Sequence, residues 1–316
     1  CGNVCENKSG PGFYKADNSA LQAVMRRDAA KAADFAVRHN VPKYYTDATE
    51  LINDKEVDVV YIATPPSTHA QYAIEVLNAG KPVYVEKPMA MTYAECLTMI
   101  DAAKRNGQKL WVAHYRRALP YFIKVKELVD SDIIGKLQTV CVRYFRQPAD
   151  YDLNPEKHIW RVDKSLAGGG YFYDLAPHTI DILHYILGKF TDVNGIVTNT
   201  AGIYDVEDVI SASFRFETGA VGSGIWSFAA SQLDREDIIE IRGTKATIRF
   251  STFLFTPIEL IMEKRTESYN IQPPEHIQQP LIQSIVDEVL GKGVCLSDGE
   301  TAAHTSWVID KIFGIL

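Results

Sequence analysis

Val57-Asp58-Val59-Val60-Tyr61-Ile62-Ala63, running into Thr64-Pro65-Pro66-Ser67, is the stretch that decides the fold. A run so rich in β-branched residues reads as a strand buried on both faces, as in a parallel sheet. The paired prolines end it, because neither can donate to a ladder. Working outward, a helix is predicted over 68–78 and closed by Gly80. A strand over 82–85, a helix over 93–106 stopped by Gly107, and a strand over 109–113 follow. Upstream, 21–25 reads as a strand and 28–39 as a helix that starts at an N-cap-like Asp28. Strands alternating with helices imply right-handed crossovers and a doubly wound parallel sheet.

Past residue 115 the rhythm changes. A helix over 119–129 leads to long alternating strands over 137–145, 209–216, 220–229, 238–242, 246–250 and 258–264. Thr218-Gly219 and Gly243-Thr244 read as hairpin turns between them. Helices over 173–186, 280–290 and 300–313 complete a mainly antiparallel sheet with helices on one face. The expected organisation is an α/β chain: a dinucleotide-binding Rossmann domain over 1–115, then an α+β substrate and oligomerisation domain over 116–316.

Composition agrees with two globular domains: 316 residues, 46% hydrophobic and 23% charged, exclude disorder, collagen and coiled coil. A net charge of −7 argues against nucleic acid or an anionic membrane as partner. No apolar run is long enough to span a bilayer, and no leader is read before the first motif. The five cysteines are scattered without a CxxC pair, so neither a disulfide framework nor a thiolate zinc site is expected. Free thiols point to the cytoplasm.

Four motifs carry chemistry. Cys1-Gly2-Asn3-Val4-Cys5 stands before the first crossover, where a dinucleotide fold needs glycine so that the backbone can approach a pyrophosphate. This reading places Cys1 inside the fingerprint, after its first strand, and Pro11 and Gly12 are expected to break a regular first helix. The strand over 21–25 ends in Arg26-Arg27-Asp28, with Arg26 where an NAD-specific fold carries an acid for the ribose. Two guanidiniums suit a 2′-phosphate, so NADP is expected, with NAD the alternative; a solvated charge cluster at the helix start is the plainer reading. Glu86-Lys87-Pro88 follows a strand, at the edge where open parallel sheets bind ligands. An ammonium there can stabilise developing alkoxide charge; a lone lysine after a strand is more usually a surface residue. Finally, Gly168-Gly169-Gly170 precedes Asp174 and His178, which share one helix face at i,i+4. A carboxylate beside an imidazole suits general acid/base work, or it forms a plain helix-surface ion pair. Pro177 is expected in the helix's first turn, with Asp174 near the N-cap. His178, Asp181 and His184 lack further convergent ligands, and no metal is expected.

Together these features resemble the Gfo/Idh/MocA oxidoreductases. Gly80-Lys81-Pro82-Val83 before Glu86-Lys87-Pro88, and Gly169-Gly170 before Asp174-x-x-x-His178, match the family's two signatures over nearly the whole chain. Ala63-Thr64-Pro65-Pro66-Ser67-Thr68-His69 resembles the segment lining the nicotinamide half of the cleft, and Trp160-Arg161 a feature near cofactor and substrate. The resemblance implies that Lys87 is the active-site lysine, that His178 exchanges the hydroxyl proton and that Asp174 orients it. Gly2, Asn3 and Val4 would cradle the pyrophosphate, and Thr64, Pro65, Pro66, His69, Glu86 and Arg161 would meet the cofactor. Cys5 departs from the pattern by occupying the third glycine position.

Hydride would pass between the nicotinamide and a carbinol carbon of a sugar, cyclitol or related polyol. The substrate pocket is expected to draw on Tyr115, Arg116, Arg117, Tyr121 and residues 154–161, Trp160 among them. Other readings on the same fold are a cofactor-binding regulatory protein and a sugar hydrolase or lyase using transient NAD oxidation. Helices cover one side of the antiparallel sheet. The other side, with Trp226 and Phe228 pointing outward, is expected to join copies into a homodimer or homotetramer.

Overall fold

A computed structural model describes Gly2 and residues 4–316. The chain divides into two units: residues 1–90, 94–118 and 274–303, and residues 91–93, 119–273 and 304–316.

In the first unit the parallel sheet comes in two pieces rather than one. β1 (Ala23–Met25) pairs with β2 (Lys43–Tyr45), while β3 (Val60–Ile62), β4 (Val83–Val85) and β5 (Leu110–Val112) form a second sheet in that order. Among the described residues no strand bridges β1 and β3. Six residues of β4 and β5, Val83-Tyr84-Val85 and Leu110-Trp111-Val112, are buried on both faces as parallel strands require. The strand Lys43–Tyr45 is a three-residue element with little apolar patterning, which is why periodicity passed over it.

The N-terminal helix does not break at Pro11. A π-helical turn, Cys5–Ser9, continues directly into α1 (Gly10–Lys15), with Gly10 N donating to Cys5 O. Pro11 thereby falls in the first turn of α1, where its missing N–H costs little. Gly10 is required by close approach, since a Cβ there would lie 2.3 Å from Cys5 O. α2 (Ala29–Arg38) starts where expected: Asp28 accepts from Lys31 N at 3.1 Å and caps the helix. α3 (Ala48–Asn53), α4 (His69–Asn78) and α5 (Tyr93–Asn106) follow.

The single domain boundary expected near residue 115 is replaced by a chain that returns. Residues 274–303 belong to the first unit because they are bonded into it. Val112 N donates to Ser297 O at 3.0 Å, and Ser297 Oγ returns a bond to Val112 O at 2.7 Å. Trp111 Nε1 donates to Glu288 Oε2 at 2.9 Å, on the helix Gln279–Val289. Such pairing between residues far apart in the chain leaves no local signal.

The second unit opens with α6 (Pro120–Asp130) and β6 (Leu137–Phe145), then the short α7 (Lys164–Ala167) and the long α8 (Tyr171–Leu187). β7 (Phe190–Thr198), β8 (Val209–Phe216), β9 (Val221–Ser227), β10 (Glu236–Gly243), β11 (Ala246–Phe250), β12 (Ile258–Met262) and β13 (Thr266–Tyr269) complete it. All the expected strands join one sheet ordered β13-β12-β11-β10-β6-β9-β8-β7, with β7 and β13 as its unforeseen edges. Its neighbours are antiparallel except β6 and β9, which run parallel.

Trp226 and Phe228 do not point outward. Trp226 shares the register of buried Ile210 and meets Phe172 of α8 edge-on at 5.2 Å, so both aromatics belong to the core. The open face carries Ser211, Ser213 and Arg215, exposed Val221, Ile225 and Ile196, and a band of ion pairs centred on Glu240 and Arg249.

Candidate active site

Two turns of the first unit bear the predicted residues, and one imidazole ties them together. Beyond β3, Thr64 is exposed, Pro65 half-buried and Pro66 buried; Thr68 Oγ1 donates to Thr64 Oγ1 at 2.7 Å. Beyond β4, Glu86 and Pro88 are buried and Lys87 is half-buried. His69, at the start of α4 and only 1% exposed, places Nδ1 2.9 Å from Pro88 O and Nε2 2.8 Å from Thr64 O. Both ring nitrogens are therefore spent on backbone carbonyls. Glu86 is spent as well: it accepts from Tyr61 OH at 2.6 Å, from Gln278 Nε2 at 2.9 Å and from Lys87 N at 3.2 Å. Burial, and then the Glu86 charge, push the Tyr61 phenol far above its ordinary pKa and keep it a donor. Lys87 is the member of its motif that stays partly open.

At the end of β1, Arg26 is half-buried and Arg27 exposed. The neighbouring carboxylate, Asp28, is engaged by Lys31, through its backbone N and through Nζ at 3.1 Å. Gly2 has open space where a side chain would stand, and its carbonyl accepts from Cys5 N and Glu6 N as the helix begins. Asn3 lies outside the described residues. Val4 is half-buried and packs against the core cluster that contains Cys5, Val24 and Phe35. Burial pushes the Cys5 thiol up, making it a packing residue at the position of a glycine.

In the second unit the glycine run has a packing cause. A Cβ on Gly169 would come within 2.4 Å of the Tyr173 ring, and one on Gly170 within 2.7 Å of Glu207 O. Gly170 N donates to Glu207 Oε1 at 2.7 Å, and burial raises the pKa of that carboxyl. Anchored this way, α8 begins at Tyr171, earlier than expected. Asp174 stays in the first turn, but Pro177 lies inside the helix instead of at its start. Asp174 Oδ2 accepts from Arg161 Nε at 2.7 Å, and that guanidinium stacks 4.6 Å over the Trp160 ring. One turn on, His178 is buried and meets Phe253 edge-on at 5.8 Å. Asp237 holds the Phe253 loop by accepting from the backbone N of Thr252, Phe253 and Leu254 at 3.0, 2.7 and 3.0 Å. Glu207, Asp237 and Phe253 were not anticipated, because each acts on residues distant in the chain.

The residues expected to line the substrate pocket divide. Arg117 is buried and donates to Leu296 O and Thr301 Oγ1, both at 2.8 Å, bracing the returning segment of the first unit. Tyr121 is fully buried, donating to Thr256 O at 2.8 Å and accepting from Ser251 N at 3.0 Å. Tyr115 is buried under the Arg116 guanidinium, at 5.0 Å. Trp160 is half-buried beside Arg161. Among the described residues no group of three or more metal-ligating side chains gathers, and no helix is long and apolar enough to cross a membrane.

Comparison with known proteins shows the family. Residues 1–114 match the oxidoreductase family model with an NAD-binding Rossmann fold, and residues 122–249 match the Gfo/Idh/MocA C-terminal domain. An oxidoreductase of Formosa agariphila is 40% identical over 99% of this chain and 96% of its own length. Levoglucosan dehydrogenase of Pseudarthrobacter phenanthrenivorans is 31% identical over 70% of this chain and 62% of its own. A levoglucosan dehydrogenase solved with NADH and levoglucosan superposes with a TM-score of 0.86 at 25% identity, covering 99% of this chain and 94% of that one. With both halves matched and a relative similar from end to end, the chain belongs to the Gfo/Idh/MocA family of oxidoreductases with an NAD-binding Rossmann fold.

Proposed function

We propose that this oxidoreductase transfers hydride between NADP(H), in preference to NAD(H), and a carbinol carbon of a sugar, cyclitol or related polyol. The observation that carries the reading is the pair Asp174 and His178 on one face of α8, with Asp174 held by Arg161. A buried imidazole one turn from an anchored carboxylate is suited to take or return a hydroxyl proton near neutral pH. In the first unit Lys87, half-buried after β4, is suited to stabilise negative charge that develops on a substrate oxygen. A regulatory protein would have no chemical need for this proton relay.

The residues of the first unit fit a phosphorylated dinucleotide. Arg26 and Arg27 follow β1 with Asp28 already engaged, which suits a 2′-phosphate better than a ribose diol. The open backbone at Gly2 suits a pyrophosphate. When bound, the nicotinamide supplies the hydride donor or acceptor. The levoglucosan dehydrogenase solved with NADH and levoglucosan supports a cyclic sugar as substrate, as does a 1,5-anhydro-D-fructose reductase of Ensifer adhaerens, 26% identical over 92% of this chain and 86% of its own. An absorbance screen of both cofactors against sugars, sugar acids and cyclitols tests the proposal. Turnover of none of them would overturn it.

A further inference from the structure

We infer that His69 is a positioning residue, a two-sided clamp that holds the Thr64 turn and the Lys87-Pro88 turn in one arrangement for the nicotinamide half of the cofactor. The inference rests on the cofactor reading proposed above and adds a residue that touches neither cofactor nor substrate. The geometry is specific. One ring, 1% exposed, spans the turns that leave two adjacent parallel strands, with Thr64 O at 2.8 Å and Pro88 O at 2.9 Å. Backbone carbonyls only accept, so each nitrogen must donate for both contacts to be attractive. A ring with one proton would leave the other carbonyl facing a lone pair inside the fold, where an unmet polar contact is costly.

Both contacts are met in full only by the imidazolium, so the clamp tightens as pH falls and at neutral pH is held chiefly through one carbonyl. Burial is the largest influence and holds the ring's pKa below its ordinary value, with Lys87 adding to it, against the opposite pull of the two carbonyls and Glu86. Glu86 is itself fixed by Tyr61 and Gln278. The turns on either side of the ring are short and proline-rich, with Pro65-Pro66 on one and Pro88 on the other. Such segments have few alternative conformations once their carbonyls are held.

The experiment compares binding of NADH, NADPH and ADP-ribose to the wild-type chain and to His69→Leu. ADP-ribose is NAD without its nicotinamide ring, so the ratio of NADH to ADP-ribose affinity reads the contacts of that ring. The expected result is ADP-ribose affinity close to wild type and a loss of about tenfold or more in dinucleotide affinity, as displaced positioning groups produce. An unchanged ratio, or equal loss for all three ligands, overturns the clamp. A wild-type chain that binds the dinucleotides no better than ADP-ribose instead overturns the cofactor reading beneath it, which keeps the two failures distinct. Should His69→Leu fail to fold, nitrogen NMR of the wild-type chain labelled at histidine decides. Ring N–H protons of His69 protected from solvent exchange support the clamp, and ring protons that exchange freely overturn it.

Discussion

Arg161 Nε donates to Asp174 Oδ2 at 2.7 Å, so the carboxylate four residues before His178 is held from outside its own helix. Arg161 is 38% exposed and Asp174 15%, and Arg161 also covers the Trp160 ring. Surface ion pairs of this kind contribute at most about 1 kcal/mol to stability. Arg161→Ala is accordingly expected to leave the melting temperature nearly unchanged while turnover falls about tenfold through a misoriented Asp174. Wild-type turnover in the folded variant would remove this role from Arg161.

Lys87→Ala and His178→Ala are each expected to lower turnover by about 100-fold or more, the range for removing a general acid/base or an alkoxide-stabilising group. Dinucleotide binding should persist, because neither residue is assigned to the phosphates. Steady-state rates alongside cofactor titration separate the two effects, and retention of most activity by either variant refutes its role.

For Arg26→Asp, NADPH affinity is expected to fall about tenfold or more, since the substitution removes one charge-assisted phosphate contact and installs a repulsive carboxylate. NADH affinity should hold or improve. Equal wild-type affinities for the two cofactors would sink the assignment of Arg26 to a 2′-phosphate.

His304 makes stability depend on pH. Its Nε2 accepts from Phe190 N at 3.0 Å, and its ring stacks on Trp307 at 5.0 Å. Burial, then the Lys189 charge, pull its pKa down to about 4. An unfolded chain titrates this group near about 6.5, so between the two values only the unfolded chain binds the proton. Stability from this group is full above that upper value and is lost as pH falls through about 4, by on the order of 3 kcal/mol. Denaturant unfolding at a series of pH values should show a drop that His304→Asn flattens. An unaltered slope in the variant would mean that other groups carry the acid sensitivity.

The open face of the large sheet is expected to join copies of the chain. Register places Ile196, Ser211, Ile225, Arg143 and Ile238 in one row across it, with Ile196 72% and Ile225 42% exposed. Apolar side chains in line, flanked by ion pairs, suit a self-complementary two-fold interface. Light scattering at micromolar concentration should report a dimer or tetramer, and a mass near 35.3 kDa would contradict this.

The sequence by itself determined the parts whose cause is local. Buried parallel strands show as continuous β-branched runs, so β3, β4 and β5 were legible from 57–63, 82–85 and 109–113. The Asp28 cap, the change to alternating strands after residue 115, and the i,i+4 spacing of Asp174 and His178 were legible for the same reason. Tertiary structure decided whatever depends on a distant partner. It drew 274–303 back into the first unit, turned Trp226 and Phe228 inward, and spent Arg117 and Tyr121 on backbone carbonyls. It also moved the start of α8 to Tyr171 through Glu207, leaving Pro177 inside the helix. Periodicity reports how a residue relates to its own turn or strand. Which carbonyl an arginine finds, or which face of a sheet a tryptophan takes, is settled only when elements far apart in the chain meet and every buried polar group needs a partner.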